Sequence, residues 1–194
     1  MRAALAFCTL LSLGAATAAA EAPSWAVEED SRVGFVARQA GADVEGRFEE
    51  FDAEIAFDPA QLESSRVAVE IDIDSVNSES SDRDSTIRSE ALFDVATWPT
   101  ARFEAERFEQ TGDNLYTAHG QLTMRDVTRE VALLFELTIA DHPSEADALQ
   151  ARAAGELTVL RLDYGVGQGQ WQDTSVVANE VVIRIEIVAK RPKT

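Results

Sequence analysis

The chain has 194 residues, of which 35 are acidic and 17 basic, giving a formal charge of −18 at neutral pH. That length suits one domain with a sizeable core. So acidic a surface repels DNA, RNA and anionic lipid head groups, which argues against nucleic-acid binding.

The amino terminus reads as a cleaved secretory signal over residues 1–20. Arg2 supplies the positive start, "ALAFCTLLSLGAA" the apolar run, and "TAAAEA" the small residues that a signal peptidase needs. Cleavage is expected after Ala20, with Ala22 as the second choice. A lipoprotein reading of "LAFC" is set aside, because Phe7 is bulky and most of the apolar run follows Cys8. Cys8 is the one cysteine, so the mature chain over 21–194 has neither a disulfide nor a thiol nucleophile. Loss of Arg2 leaves sixteen basic against 35 acidic residues, a formal charge of −19. No later apolar segment is long enough to cross a membrane as a helix.

Alternation of period two then dominates. In chain order the runs are "SRVGFVAR", "FDAEIAF", "RVAVEIDID", "ARFEAERF", "YTAHGQLTM", "VTREVALLFELTI", "ALQARAAGELTVL" and "EVVIRIEIVAK". The third sets Val67, Val69, Ile71 and Ile73 against Arg66, Glu70, Asp72 and Asp74, the pattern of an antiparallel strand with one wet and one apolar face. Helical signals are few. Asp58 and Pro59 open one or two turns in "FDPAQLESS". In "SSDRDSTIRSEALFD", Ser81 with Asp84 resembles a capping box, Ile87, Ala91 and Leu92 form an apolar edge, and Pro99 ends the segment. About eight strands in one domain predict an all-β fold, a closed up-and-down barrel or a sandwich. Periodicity alone leaves open whether the inward residues fill a core or line a cavity.

Catalytic constellations are missing. His119 falls on the outer face of its strand and His142 in the polar loop "DHPSEAD", so both are expected to be exposed, and neither has company for a metal site. "DSVNSESSDRD" lacks the glycine and terminal glutamate of a calcium loop. An enzyme using Asp84, Asp163 or His119 would have no base paired with a nucleophile. The glycines of "RLDYGVGQGQW" do not cradle a phosphate, because no helix follows them.

Five blocks in order resemble one family: "WAVEEDSRVGFVAR", "VEGRFEEFDAEIAFDP", "SEALFDVATWPTARFEA", "GQLTMRDVTREV" and "RLDYGVGQGQW…NEVVIRIEI". Together, over residues 25–190, they are similar to the YceI-like, lipocalin-like, polyisoprenoid-binding periplasmic proteins. The resemblance implies an eight-stranded antiparallel lipocalin-like barrel with a small helical insertion. It also implies a periplasmic location and a long apolar tunnel for a polyisoprenoid or an isoprenoid quinone, with no catalytic residue, metal or cofactor. By parity the tunnel would be lined by Phe35, Phe57, Val69, Ile71, Phe103, Leu122, Leu133, Phe135, Leu157, Ile183 and Ile185, with Leu92 and Phe93 from the insertion. Tyr164 and Trp171 would stand at its mouth. A b-type cytochrome of the inner membrane is an implied partner, and a homodimer is left open. A subunit beside such a cytochrome that holds no lipid is the alternative function. Asp126 stands where many relatives carry glycine, which puts a tight turn there in doubt.

The head group is expected to be a neutral quinone held by Tyr164 or Gln168. A pyrophosphate would need Arg83, Arg88, Arg125, Arg129 or Arg161. Their neighbours Asp82, Asp84, Glu90, Asp126, Glu130 and Asp163 stand ready to pair with them.

Overall fold

The computed structural model describes residues 21–193, so the signal segment and Cys8 lie outside the described residues. Eleven strand segments follow one another: β1 (Ser24–Val27), β2 (Arg32–Gln39), β3 (Ala42–Phe48), β4 (Phe51–Ala56), β5 (Arg66–Asp72), β6 (Val76–Asn77), β7 (Thr100–Gly112), β8 (Leu115–Met124), β9 (Val127–Asp141), β10 (Ala148–Leu160) and β11 (Val177–Pro192). One helix, α1 (Ser81–Arg88), interrupts them.

The segments make eight barrel strands. β1 with β2, β3 with β4, and β5 with β6 are each one strand broken by a short bend, and the other five segments are unbroken. Each pairs antiparallel with the next. The ring closes where β11 takes β2 along its first half and β1 at its end, with Ala26 opposite Lys190 and Val27 opposite Ala189. The closed antiparallel barrel expected from the alternation is therefore the fold. The three bends lie side by side. Glu49 N–H donates to the Ser75 carbonyl and Asp72 N–H to the Glu50 carbonyl, so the crease keeps its backbone groups satisfied.

Details depart from the periodic reading. β3 was not among the alternating runs, because glycine occupies one of its inward positions. A side chain at Gly46 would meet the Phe35 ring at 2.3 Å, so the glycine makes room for that ring. In β7 an extra residue shifts the pairing between Ala105 and Arg107, so the inward set runs Phe103, Ala105, Phe108. The helix is capped by Ser80, one residue before the expected Ser81. Asp84 is no capping-box partner either: buried, it accepts from the N–H and Oγ of Ser78. The turn at Arg125–Asp126 is tight after all. Met124 pairs with Val127, and Arg125, not Asp126, takes the left-handed conformation at φ 54°.

At one end the barrel is plugged by aromatic rings. Phe57 lies 5.2 Å from Phe108, 5.6 Å from Tyr116 and 6.1 Å from Phe135, centroid to centroid, all edge-on. Trp25 closes the same end, its indole N–H donating to the Phe57 carbonyl at 2.9 Å.

Candidate functional site

Outside the bulges, inward residues alternate with outward ones along the strands, so the barrel axis is walled by Val, Ile, Leu, Phe and Ala. These side chains do not meet in the middle. They leave two chambers stacked along the axis, an inner one of about 140 Å³ and an outer one of about 420 Å³. Val33, Ile71, Leu122 and Ile183 border both, so the chambers abut at these four side chains. Together the chambers come to about 560 Å³, within the range of small-molecule sites.

The inner chamber has only apolar residues around it. Phe57, Val69, Phe103, Leu133, Phe135, Leu157 and Ile185 are on its wall. The outer chamber takes Phe35, Leu92, Phe93 and Trp171, and Ile71, Leu122 and Ile183 stand at the junction. Of the residues expected to line the tunnel or stand at its mouth, Tyr164 alone is on neither wall. The strand ends at Leu160 and the chain continues as a 3₁₀ turn over Arg161–Tyr164, where strand parity no longer applies. Tyr164 is 2% exposed and packs into the core, and burial pushes its phenol above the ordinary range.

Other wall residues were missed. Ile55, Val67, Ile139 and Ile187 share parity with residues that were named, so the signal was present. Phe108 was hidden by the bulge in β7.

The mouth of the outer chamber is built from the helical insertion and the 161–176 loop. The two are tied by the Gln168 N–H, which donates to the Ala91 carbonyl at 2.7 Å. Arg161 shapes the loop. Its Nη1 donates to the Val166 carbonyl at 2.9 Å, Nη2 to Val177 at 2.8 Å and Nε to Ala178 at 2.9 Å, pinning both ends. Gly167 sits at φ 123° against this guanidinium, and a Cβ there would lie 2.0 Å from Nη1. Gln168 does not face the chamber; its side chain is exposed and donates to the Gly165 carbonyl.

The arginines also differ from expectation. Arg88 pairs with Asp74 at 3.0 Å, but among the described residues Arg83, Arg125, Arg129 and Arg161 have no carboxylate within 4.0 Å. Backbone carbonyls take them instead: Leu92 for Arg125, Asp163 for Arg129 and Ser78 for Arg83. Of the acidic neighbours in sequence, Asp84 is buried against Ser78, and Asp82, Glu90, Asp126, Glu130 and Asp163 are exposed, where water solvates them.

His142 is not exposed. Its side chain is 5% accessible; Nδ1 accepts from the N–H groups of Ser144 and Glu145, which leaves Nε2–H to donate to Glu28 at 3.2 Å. Glu28, His142 and Glu145 approach metal-ligand spacing. Lys190, however, bonds Glu145 and lies 3.9 Å from Glu28, so an internal cation already meets their charge. His119 stays on the outer face beside Glu109 at 3.6 Å.

A closed antiparallel barrel around an apolar chamber, plugged at one end and bordered by a loop and a helix at the other, has the lipocalin-like architecture. Residues 25–189 match the YceI-like domain, and the chain belongs to that family. It is 31% identical to a UPF0312 protein of Ectopseudomonas mendocina over 141 residues, 73% of this chain and 72% of that one. The chain spans about half the length of some other curated relatives that it matches. Among solved structures it is similar to BcnA of Burkholderia cenocepacia, with TM-score 0.74 and 29% identity over 84% of this chain and 98% of that one. A polyisoprenoid binding domain from Saccharophagus degradans shares the fold, with TM-score 0.63 and 16% identity over 87% of this chain and 98% of that one.

Proposed function

We propose that this protein binds or carries a long apolar lipid, a polyisoprenoid or an isoprenoid quinone, with its tail in the two-chambered tunnel. The observation that carries the reading is the inner chamber, walled wholly by apolar side chains and abutting a wider outer one. A solid core would leave no such space. Each methylene moved from water into the tunnel is worth about 0.8 kcal/mol, so a tail of a few isoprene units binds tightly without polar contacts. The polyisoprenoid-binding description of the Saccharophagus degradans domain supports the same reading. The YceI-like domain and the polyisoprenoid-binding neighbour support the role of a binding protein. The signal-like amino terminus supports export to the periplasm, where a b-type cytochrome of the inner membrane is a fitting partner for a quinone carrier.

The test is a titration with quinones that share one head and differ in isoprene number, followed by tryptophan fluorescence. Affinity should climb with each unit until the tunnel is full and then level off. Affinity that does not depend on tail length would overturn the proposal.

A further inference from the structure

The outer chamber carries charge as well as apolar surface. Arg83, Arg161 and Asp82 all border it, with Ser80, Thr86 and Gln39 as the neutral polar groups. Arg83 is compensated through one hydroxyl, because Ser78 Oγ accepts from its Nε at 2.9 Å and also hydrogen-bonds the buried Asp84 carboxylate. Asp82 is exposed at the rim, where water solvates it.

Arg161 is different. It is 5% exposed, and its hydrogen bonds go only to the carbonyls of Val166, Val177 and Ala178. No carboxylate lies within 4.0 Å of it among the described residues, in a chain with 35 acidic side chains. A guanidinium has five N–H donors, and three bonds leave one on each terminal nitrogen. A buried cation without a counter-ion is costly, and a partner that brings one negative charge and two acceptor oxygens relieves that cost.

We propose that the outer chamber selects a lipid whose head is a single carboxylate, with Arg161 as its charged partner and the tail running through the rest of the outer chamber into the inner one. This deepens the lipid-binding reading and rests on it. Tyr164 and Gln168, the residues expected from the sequence to hold a neutral quinone head, do not reach the chamber, and the Arg161 charge favours an acid over a neutral head there. A pyrophosphate brings more negative charge than one uncompensated arginine offsets, and it would meet Asp82 at the rim.

Three C15 isoprenoids with one tail test this: farnesoic acid, its methyl ester and farnesyl pyrophosphate, each titrated at pH 7.5. A charge-assisted bond predicts that the acid binds about tenfold or more tighter than the ester. It should also bind tighter than the pyrophosphate. In Arg161→Met the acid-to-ester ratio should fall to about one. That ratio is the readout, so loop damage that weakens both ligands alike drops out, and the wild-type ratio decides if the variant does not fold. Ester binding as tight as the acid, or tightest binding by the pyrophosphate, overturns the carboxylate proposal and leaves the lipid-binding reading in place; Arg161 is then only the clamp of its loop. Binding of none of the three overturns both.

Discussion

Replacing Ile71 by Trp separates a tunnel from a core. Ile71 lies opposite Phe51 and Ala101 in the sheet and borders both chambers, so an indole there projects into their junction. In a filled interior the added bulk would overpack, at a cost of about 1–3 kcal/mol. Each kcal/mol moves Tm by about 2–4 °C in a chain of this size, so the drop would be about 2–12 °C. In the tunnel the indole finds open space, and Tm should stay within about 2 °C of wild type. Binding should suffer instead. At about 30 Å³ per methylene, the volume a water molecule takes in the liquid, the inner chamber of about 140 Å³ holds about five such groups. Excluding them forfeits about 4 kcal/mol, roughly a thousand-fold in Kd. Calorimetry and a titration with a long-chain isoprenoid quinone give both numbers. A fall in Tm of more than about 5 °C with quinone binding unchanged would refute the reasoning.

Three further outcomes are expected. Trp171 borders the outer chamber, whereas Trp25 is buried at the plugged end and Trp98 stacks under Arg125; Trp171→Phe should therefore remove most of the quenching that a bound quinone causes, and quenching that persists would exclude Trp171 from the mouth. Gly167→Ala should lower stability by about 1–3 kcal/mol through its left-handed backbone and its collision with Arg161, and a thermal melt that overlays wild type would contradict the loop geometry. The Glu28 carboxyl is held below its ordinary value of 4.5, first by the Gln150 amide and then by His142 and Lys190, with burial acting against them. Because its pKa is lowered in the fold, its stabilisation is in place above pH 4.5 and is lost as pH falls through the folded value. Glu28→Gln should thus flatten the decline of Tm between pH 5 and pH 3, and unchanged slopes would show that the network does not stabilise the plugged end.

The barrel was legible because its strands have one apolar face and a strict period of two, as in Val67, Val69 and Ile71 or Leu133, Phe135 and Leu137. Where the backbone leaves that period, reading failed for local reasons. The bulge near Glu106 moved Phe108 out of step. Glycine at 46 erased the apolar mark of β3, because its space is taken by the ring of Phe35. The 3₁₀ turn after Leu160 sent Tyr164 into the core and put Arg161, one of five arginines that the sequence offered for a pyrophosphate head, beside the chamber. Long-range pairing was also invisible: His142 is buried by Glu28, 114 positions away along the chain. That the inward residues leave a tunnel instead of closing on each other is a property of strand number and tilt, which no single strand encodes.

The most direct measurement of the central claim is native mass spectrometry of the protein purified without detergent, followed by extraction and fragmentation of whatever it carries. A lipid-holding tunnel predicts a stoichiometric adduct of one lipid per chain, lost when the protein is unfolded and absent from Ile71→Trp. Wild-type protein that repeatedly flies at its bare polypeptide mass, and stays bare after incubation with isoprenoid lipids, would contradict the account.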